Sequence, residues 1–198
     1  MNIYLLPALT GSNSRTQSPD NRLIVPAYLD NITDAIHQDL CQSLKHTPFI
    51  TITRLTGPMD QIISRLIETE NITPPSTNLL IAVGLNASTD DGRYHTAQGW
   101  SVCNNTSSKA SSHLAECLTT AALRILGRRA FSMPGQIPSQ HHLSQAALLS
   151  VLPIPAVLTL NLYQDNRPDI EYLLSSVGRQ AIIKLHTKGI MDYLSLNP

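Results

Sequence analysis

The mostly apolar run at residues 78–87 is the feature that most constrains how this chain can fold. It reads N-L-L-I-A-V-G-L-N-A and lies between Pro74-Pro75 and Ser88-Thr89. An apolar run of this length without polar alternation is typical of a strand that is covered on both faces, as in a parallel sheet. The chain is therefore predicted to pack helices on both sides of a central sheet.

Shorter apolar runs and segments with helical spacing alternate along the rest of the chain. Strands are also predicted at residues 3–9, 49–55, 99–103, 148–152 and 156–162. Helices are predicted from Pro26 onward and at residues 59–70, 109–126, 168–174 and 177–194. Residues 127–145 show no clear period and are predicted to form a long loop. The predicted fold class is an α/β sandwich around a mostly parallel sheet, formed by residues 1–198 as one domain.

Charge and motif content exclude several classes of function. Fourteen basic residues balance fourteen acidic ones, so the chain offers no basic stripe for nucleic acid and no polybasic membrane anchor. It contains no G-x-x-x-x-G-K-[ST] loop, no G-x-G-x-x-G turn and no G-x-S-x-G elbow. Nucleotide binding and serine-nucleophile chemistry therefore have no support in the sequence. The three cysteines form no C-x-x-C pair, which leaves neither a zinc knuckle nor a redox motif.

Several segments resemble zinc-dependent N-acetylmuramoyl-L-alanine amidases, the enzymes that cut the glycan–peptide bond of peptidoglycan. Residues 156–166 read A-V-L-T-L-N-L-Y-Q-D-N, similar to A-V-L-T-E-N-F-F-x-D-N in that family. Ser18-Pro19-Asp20 with Arg22-Leu23 resembles its S-P-D-G-R-L element, and Asn86-Ala87 the end of its S-I-H-x-N-A strand. Residues 109–118 and 172–194 are similar to its closing helices. The resemblance implies a three-layer, amidase/phosphorylase-like sandwich.

The same resemblance locates the family's zinc site in this chain, and every position of that site has lost its functional group. The two histidine ligands, the glutamate ligand between them and the catalytic glutamate fall on Leu9, Gly84, Val25 and Leu160. A catalytic zinc needs three donor side chains and an open position for water. A leucine cannot accept the proton of that water. The family's cofactor, zinc, is therefore not expected here.

These substitutions favour a catalytically inactive amidase-like protein that acts as a peptidoglycan-binding module or as a structural part of an assembly. Asn86, Trp100 and Asn161 are the candidates for contact with a ligand in the former cleft. An alternative is an active amidase that uses displaced zinc ligands, for which His95, His141 and His142 are candidates. A third reading is a purely structural subunit without affinity for the cell wall.

The N-terminal segment M-N-I-Y-L-L-P-A-L-T has no basic leader, and Pro7 interrupts its apolar run. It is too short for the apolar region of a signal peptide or for a membrane span. We therefore expect cytoplasmic synthesis and no membrane span, with the cell wall, a phage particle or a secretion particle as the possible final location.

Overall fold

The structure is a computed structural model that describes residues 1–8, 16–70, 78–131, 147 and 149–196. Its centre is a five-stranded sheet with the strand order β2-β1-β3-β5-β4. The strands are β1 (Asn2–Pro7), β2 (Thr51–Arg54), β3 (Leu79–Asn86), β4 (Trp100–Asn104) and β5 (Ala156–Tyr163). Only β4, paired to β5, runs antiparallel within this sheet.

Five α-helices flank the sheet in the described part of the chain. They are α1 (Val25–Ser43), α2 (Met59–Glu70), α3 (Lys109–Leu126), α4 (Arg167–Leu174) and α5 (Ser176–Leu196). Local sequence explains their ends: α1 begins with a proline in its first turn, where the missing N–H costs no hydrogen bond. Ser108 caps α3 by accepting a hydrogen bond from the Ser111 N–H, and Asn166 caps α4 in the same way through Asp169.

The sheet separates two apolar clusters, because successive side chains of a strand point to opposite faces. One face of β1, β3 and β5 packs against α1, α3, α4 and α5. The other face packs against α2 and the segment that contains Leu149, Leu152 and Ile154. The molecule is therefore a three-layer α/β sandwich, and the predicted fold class is confirmed.

The structure corrects the prediction of a strand at residues 148–152. Ala147 and Leu149 are helical, and Ser150 and Val151 form a turn; Leu148 lies outside the described residues. The backbone N–H groups of Ser150 and Leu152 donate to the carbonyls of Ala147 and Leu149, three residues earlier. A short apolar run does not distinguish a strand from a turn of helix, because both bury it equally well.

Other predicted boundaries differ by a few residues. The second strand begins at Thr51 rather than at Phe49, whose side chain is 84% exposed. The predicted loop at residues 127–145 begins with a 3₁₀ turn at Gly127–Ala130, and its positions after Phe131 lie outside the described residues.

Candidate functional site

The carboxyl ends of β3 and β5 meet at the place to which the resemblance assigns catalysis. Gly84 of β3 lies directly opposite Leu160 of β5 in the parallel register. The register then shifts, so that Asn86 lies opposite Tyr163. Leu162 forms this bulge with a φ of 68°, a left-handed conformation that is uncommon for a bulky residue. The bulge redirects the side chains that follow Leu160 at this edge of the sheet.

Leu160 is part of the apolar core. Its side chain is fully buried in the cluster on the α2 side of the sheet, together with Leu6, Ala8 and Leu158. It has no atom that could accept or donate a proton, and no exposed surface at which a water molecule could be activated. This position therefore cannot perform acid–base chemistry.

Gly84 is enclosed by packing on the same side of the sheet. A Cβ atom added to it would lie 3.4 Å from Leu158 Cδ1, 3.5 Å from the Thr159 carbonyl oxygen and 3.6 Å from Ala8 Cβ. Its own carbonyl oxygen accepts a hydrogen bond of 3.0 Å from Asn161 Nδ2. The backbone at the mapped histidine position is thus held by apolar contacts and by an amide, and it offers no ligand.

Val25 is the first residue of α1, and its side chain is buried in the cluster on the opposite side of the sheet from Leu160. Leu9, the remaining mapped position, lies outside the described residues. A hydrocarbon or a glycine supplies no oxygen, nitrogen or sulfur donor for zinc. Among the residues that the structure describes, no group of three or more His, Cys, Asp or Glu side chains is arranged to hold a metal ion. The described residues at the mapped positions therefore do not fit zinc.

The three candidates for ligand contact are buried rather than exposed. Trp100 is 4% exposed, Asn161 1% and Asn86 2%. Trp100 Nε1 donates a hydrogen bond of 2.9 Å to Asn161 Oδ1, which joins β4 to β5. Asn86 Oδ1 accepts a hydrogen bond from the Ala87 N–H. Trp100 is therefore not an exposed platform for a sugar or peptide, because its ring belongs to the core.

Asn161 also belongs to a series of buried hydrogen bonds that extends to α5. Its Nδ2 donates to Thr159 Oγ1 at 3.2 Å, and that hydroxyl lies 2.9 Å from His186 Nε2. His186 Nδ1 lies 2.8 Å from the Ile182 carbonyl oxygen, which can only accept, so Nδ1 carries the proton and Nε2 accepts from Thr159. Burial lowers the pKa of His186 to about 4. Sequence patterns did not reveal these hydrogen bonds, because they connect side chains of two separate elements, β5 and α5.

His95, a candidate for a displaced zinc ligand, is already engaged by its own loop. Its Nε2 lies 3.0 Å from Asp91 Oδ1 and 3.0 Å from Thr89 Oγ1. Its backbone N–H donates to the Asp165 carbonyl oxygen, which fixes the loop against the end of β5. His141 and His142, the other two candidates, lie outside the described residues. The structure therefore gives His95 a local structural role and no partner ligands among the described side chains.

The polar residues of the resembling segments stabilise the loops around this edge. Ser18 Oγ accepts from the Leu23 N–H and donates to Asp20 Oδ1. Asp165 Oδ2 accepts from the N–H groups of Ser88 and Thr89, at 2.7 and 3.3 Å. Burial raises the pKa of Asp165 above its usual value, although these N–H groups act in the opposite direction.

Asp169, four residues after Asp165, likewise accepts hydrogen bonds from two backbone N–H groups. Its Oδ2 accepts from the N–H groups of Gly99 and Tyr163, at 3.3 and 3.0 Å, which ties the loop before β4 to the end of β5. Burial likewise raises the pKa of this carboxyl group above its usual value. Asp165 and Asp169 thus serve as acceptors that hold the loops around the ends of β3 and β5.

The fold is that of the N-acetylmuramoyl-L-alanine amidases. An N-acetylmuramoyl-L-alanine amidase from Clostridium difficile 630 matches with a TM-score of 0.72 at 12% identity, over 100% of this chain and 98% of that one. Ami1 from Mycobacterium smegmatis matches with a TM-score of 0.72 at 16% identity, over 99% and 97% of the two chains. The CwlD amidase from Clostridioides difficile, solved in complex with the GerS lipoprotein, matches with a TM-score of 0.67 at 16% identity, over 98% of each chain.

These similarities lie in the fold, since the identities are low. No protein-family model matches the chain, and no curated protein sequence matches it. None of the helices in the described residues is long and apolar enough to cross a membrane.

Proposed function

We propose that this chain is an amidase-fold protein without hydrolytic activity, which acts as a binding or structural module. One observation carries the proposal: at the edge to which the sequence resemblance assigns catalysis, the described positions Val25, Gly84 and Leu160 have no metal-binding or acid–base group. The fold match over nearly the whole chain supports a shared origin of the scaffold.

The chemistry of amide hydrolysis explains why these positions matter. A metal-dependent hydrolase needs a Lewis acid to lower the pKa of water to about 7 and a base to take its proton. Leu160 cannot be that base, and Val25 and Gly84 cannot hold the metal. An amide bond that reached this edge would meet apolar side chains and a hydrogen-bonded backbone.

The ligand that we propose is either a peptidoglycan fragment or a protein partner. Peptidoglycan is favoured by the likeness to peptidoglycan amidases. A protein partner is favoured by the CwlD structure, in which an amidase of this fold was solved together with a lipoprotein. In either case the framework hydrogen bonds at Ser18, Asp165 and Asp169 would keep the shape of the edge without catalysis.

The first experiment measures hydrolysis. Purified protein is incubated with muropeptides, with and without one equivalent of zinc, beside an active amidase of the same fold as a positive control. We expect no release of stem peptide in either condition, because the described mapped positions Val25, Gly84 and Leu160 can neither hold a metal nor take a proton from water. Peptide release that a chelator abolishes would contradict the proposal and would support displaced ligands, with His95, His141 and His142 as the first candidates for substitution.

The second experiment measures binding by co-sedimentation with purified peptidoglycan. Ile24 is 46% exposed and directly precedes Val25, so Ile24→Asp adds a charge at the mapped edge. Asp is also a favourable residue at the N-cap of α1. The matched control is Phe49→Asp, a substitution of an exposed residue at the opposite end of the sheet, before β2.

If the former cleft binds peptidoglycan, Ile24→Asp should reduce the sedimented fraction several-fold while Phe49→Asp leaves it unchanged. An equal decrease of the sedimented fraction in both variants would show that peptidoglycan binds outside the former cleft. If the wild-type protein does not sediment with peptidoglycan, the peptidoglycan hypothesis is wrong and the protein-partner hypothesis remains.

A further inference from the structure

The sheet edge to which the sequence resemblance assigns the metal site joins elements that are distant in the sequence. Ala8 follows β1, Gly84 lies in β3 and Leu158 and Leu160 lie in β5. A metal bound across such elements links them and contributes its binding free energy to folding. The described residues here do not fit a metal, so other contacts must hold these strand ends together.

Apolar packing supplies these contacts on one face of the sheet. Ala8, Leu158 and Leu160 are all fully buried in one cluster with Leu6. The position where Gly84 would carry a Cβ atom lies within 3.6 Å of both Ala8 and Leu158. A methyl group at position 84 would thus make ordinary van der Waals contacts with Ala8 and Leu158, so the ends of β1, β3 and β5 lie close together at this point.

Hydrogen bonds from Asn161 connect the ends of β3 and β5 to the start of β4 on the other face of the sheet. Its Nδ2 donates to the Gly84 carbonyl oxygen at 3.0 Å, and its Oδ1 accepts from Trp100 Nε1 at 2.9 Å. The side chain thus bridges β3 and β4 from its position in β5. Because Asn161 is 1% exposed, water does not compete for these hydrogen bonds.

We propose that Leu160 packing and the Asn161 bridge together replace a metal as the cross-link at this edge, so that the protein folds independently of zinc. The apolar residues at the mapped positions then stabilise the folded protein by packing the strand ends together. This inference concerns stability and does not depend on what the protein binds.

The test is thermal unfolding of the full-length protein after treatment with a chelator and again with one equivalent of zinc alone. We expect the same Tm in both conditions, within about 1 °C, because a ligand raises the Tm only if it binds the native state. An increase of more than about 3 °C with one equivalent of zinc would overturn the inference.

Three variants test the role of Leu160 itself. Leu160→Ala should lower the Tm by about 5–15 °C, since it leaves a cavity in a fully buried cluster. Leu160→Met preserves the volume and should change the Tm by only a few degrees. Leu123→Ala, at a leucine of α3 that is 41% exposed, is the control for removing the same atoms from the surface.

A Leu160→Ala loss no larger than the Leu123→Ala loss would also overturn the inference. The proposed function would survive that result, because lack of hydrolysis and ligand binding are measured separately. Conversely, zinc-independent stability would remain if the protein bound no peptidoglycan.

Discussion

At the scale of single residues, the buried histidine of α5 has the clearest consequence for solution behaviour. His186 is fully buried, donates from Nδ1 to the Ile182 carbonyl and accepts at Nε2 from Thr159. Protonation of Nε2 would remove that acceptor and place a charge in the core. The native state therefore favours neutral His186, and the lowered pKa of about 4 expresses this preference.

Acid should destabilise the protein through His186. The unfolded-state pKa is about 6.5 and the native-state pKa about 4, so this contribution to stability is complete above pH 6.5 and is lost as the pH falls toward 4. The expected loss is about 3 kcal/mol, with a slope of up to about 1.4 kcal/mol per pH unit.

Urea unfolding at several pH values between 7 and 4 measures this slope. His186→Gln should have a lower stability at pH 7 but a flatter dependence on pH, because the titrating group is gone. Parallel curves for the wild type and the variant would show that His186 does not control acid stability.

Single residues also show how much of the site the sequence can predict. The strand that contains Leu160 was predicted at residues 156–162 and forms at Ala156–Tyr163, whereas the mapping of the catalytic glutamate to Leu160 stays a prediction. The burial of Trp100 could not be predicted, because its partner Asn161 is 61 residues away and the two meet only through the antiparallel register of β4 and β5. The Thr159–His186 contact was missed because it forms between β5 and α5, whose packing the sequence patterns did not predict.

At the scale of elements, the close packing of α3 on α5 depends on Gly189. A Cβ atom at this position would lie 2.8 Å from both the Cα and Cδ2 atoms of Leu118. Such distances are too short for carbon atoms in a packed core, so the two helices can approach this closely only because position 189 has no side chain.

Gly189→Ala should therefore destabilise the protein. Alanine would normally stabilise a helix by about 1 kcal/mol relative to glycine, but overpacking costs about 1–3 kcal/mol, so we expect a net loss of up to about 2 kcal/mol. Denaturant unfolding measures it, with Lys184→Ala at an exposed position of the same helix as the control. A stabilised Gly189→Ala protein would show that α3 and α5 separate without cost.

Element boundaries followed from local patterns where those patterns were long. The helices at Met59–Glu70 and Lys109–Leu126 have the predicted bounds, because both contain several turns of apolar spacing. Gly57-Pro58 marks the start of the first helix and Gly127 the end of the second. The strand predicted at residues 148–152 was wrong, since a short apolar run carries no periodicity. The bulge at Leu162 also had no signal in the sequence, because no glycine marks it.

At the scale of the whole molecule, stability should be graded across the sheet. β3 and β5 have fully buried residues throughout and a neighbouring strand on each side. β2 is a four-residue edge strand that pairs with β1 alone and has exposed or half-buried side chains. Opening β2 would disturb few buried contacts, whereas opening β3 would disrupt both layers of core.

Native-state hydrogen exchange tests this gradient. Hydrogen-bonded amides of β3 and β5 should exchange only through global unfolding, and those of β2 should exchange faster through local opening. Protection of β2 equal to that of β3 would indicate that the sheet unfolds as one unit.

The bulge at Leu162 has a consequence for how this chain can evolve. It reverses the side-chain alternation of β5 just before residues 164–169, whose polar groups hold the surrounding loops. Deleting one residue there would turn each following side chain to the wrong face, while a point substitution would leave the alternation intact. This segment can therefore accept point substitutions, but it has little tolerance for insertions or deletions.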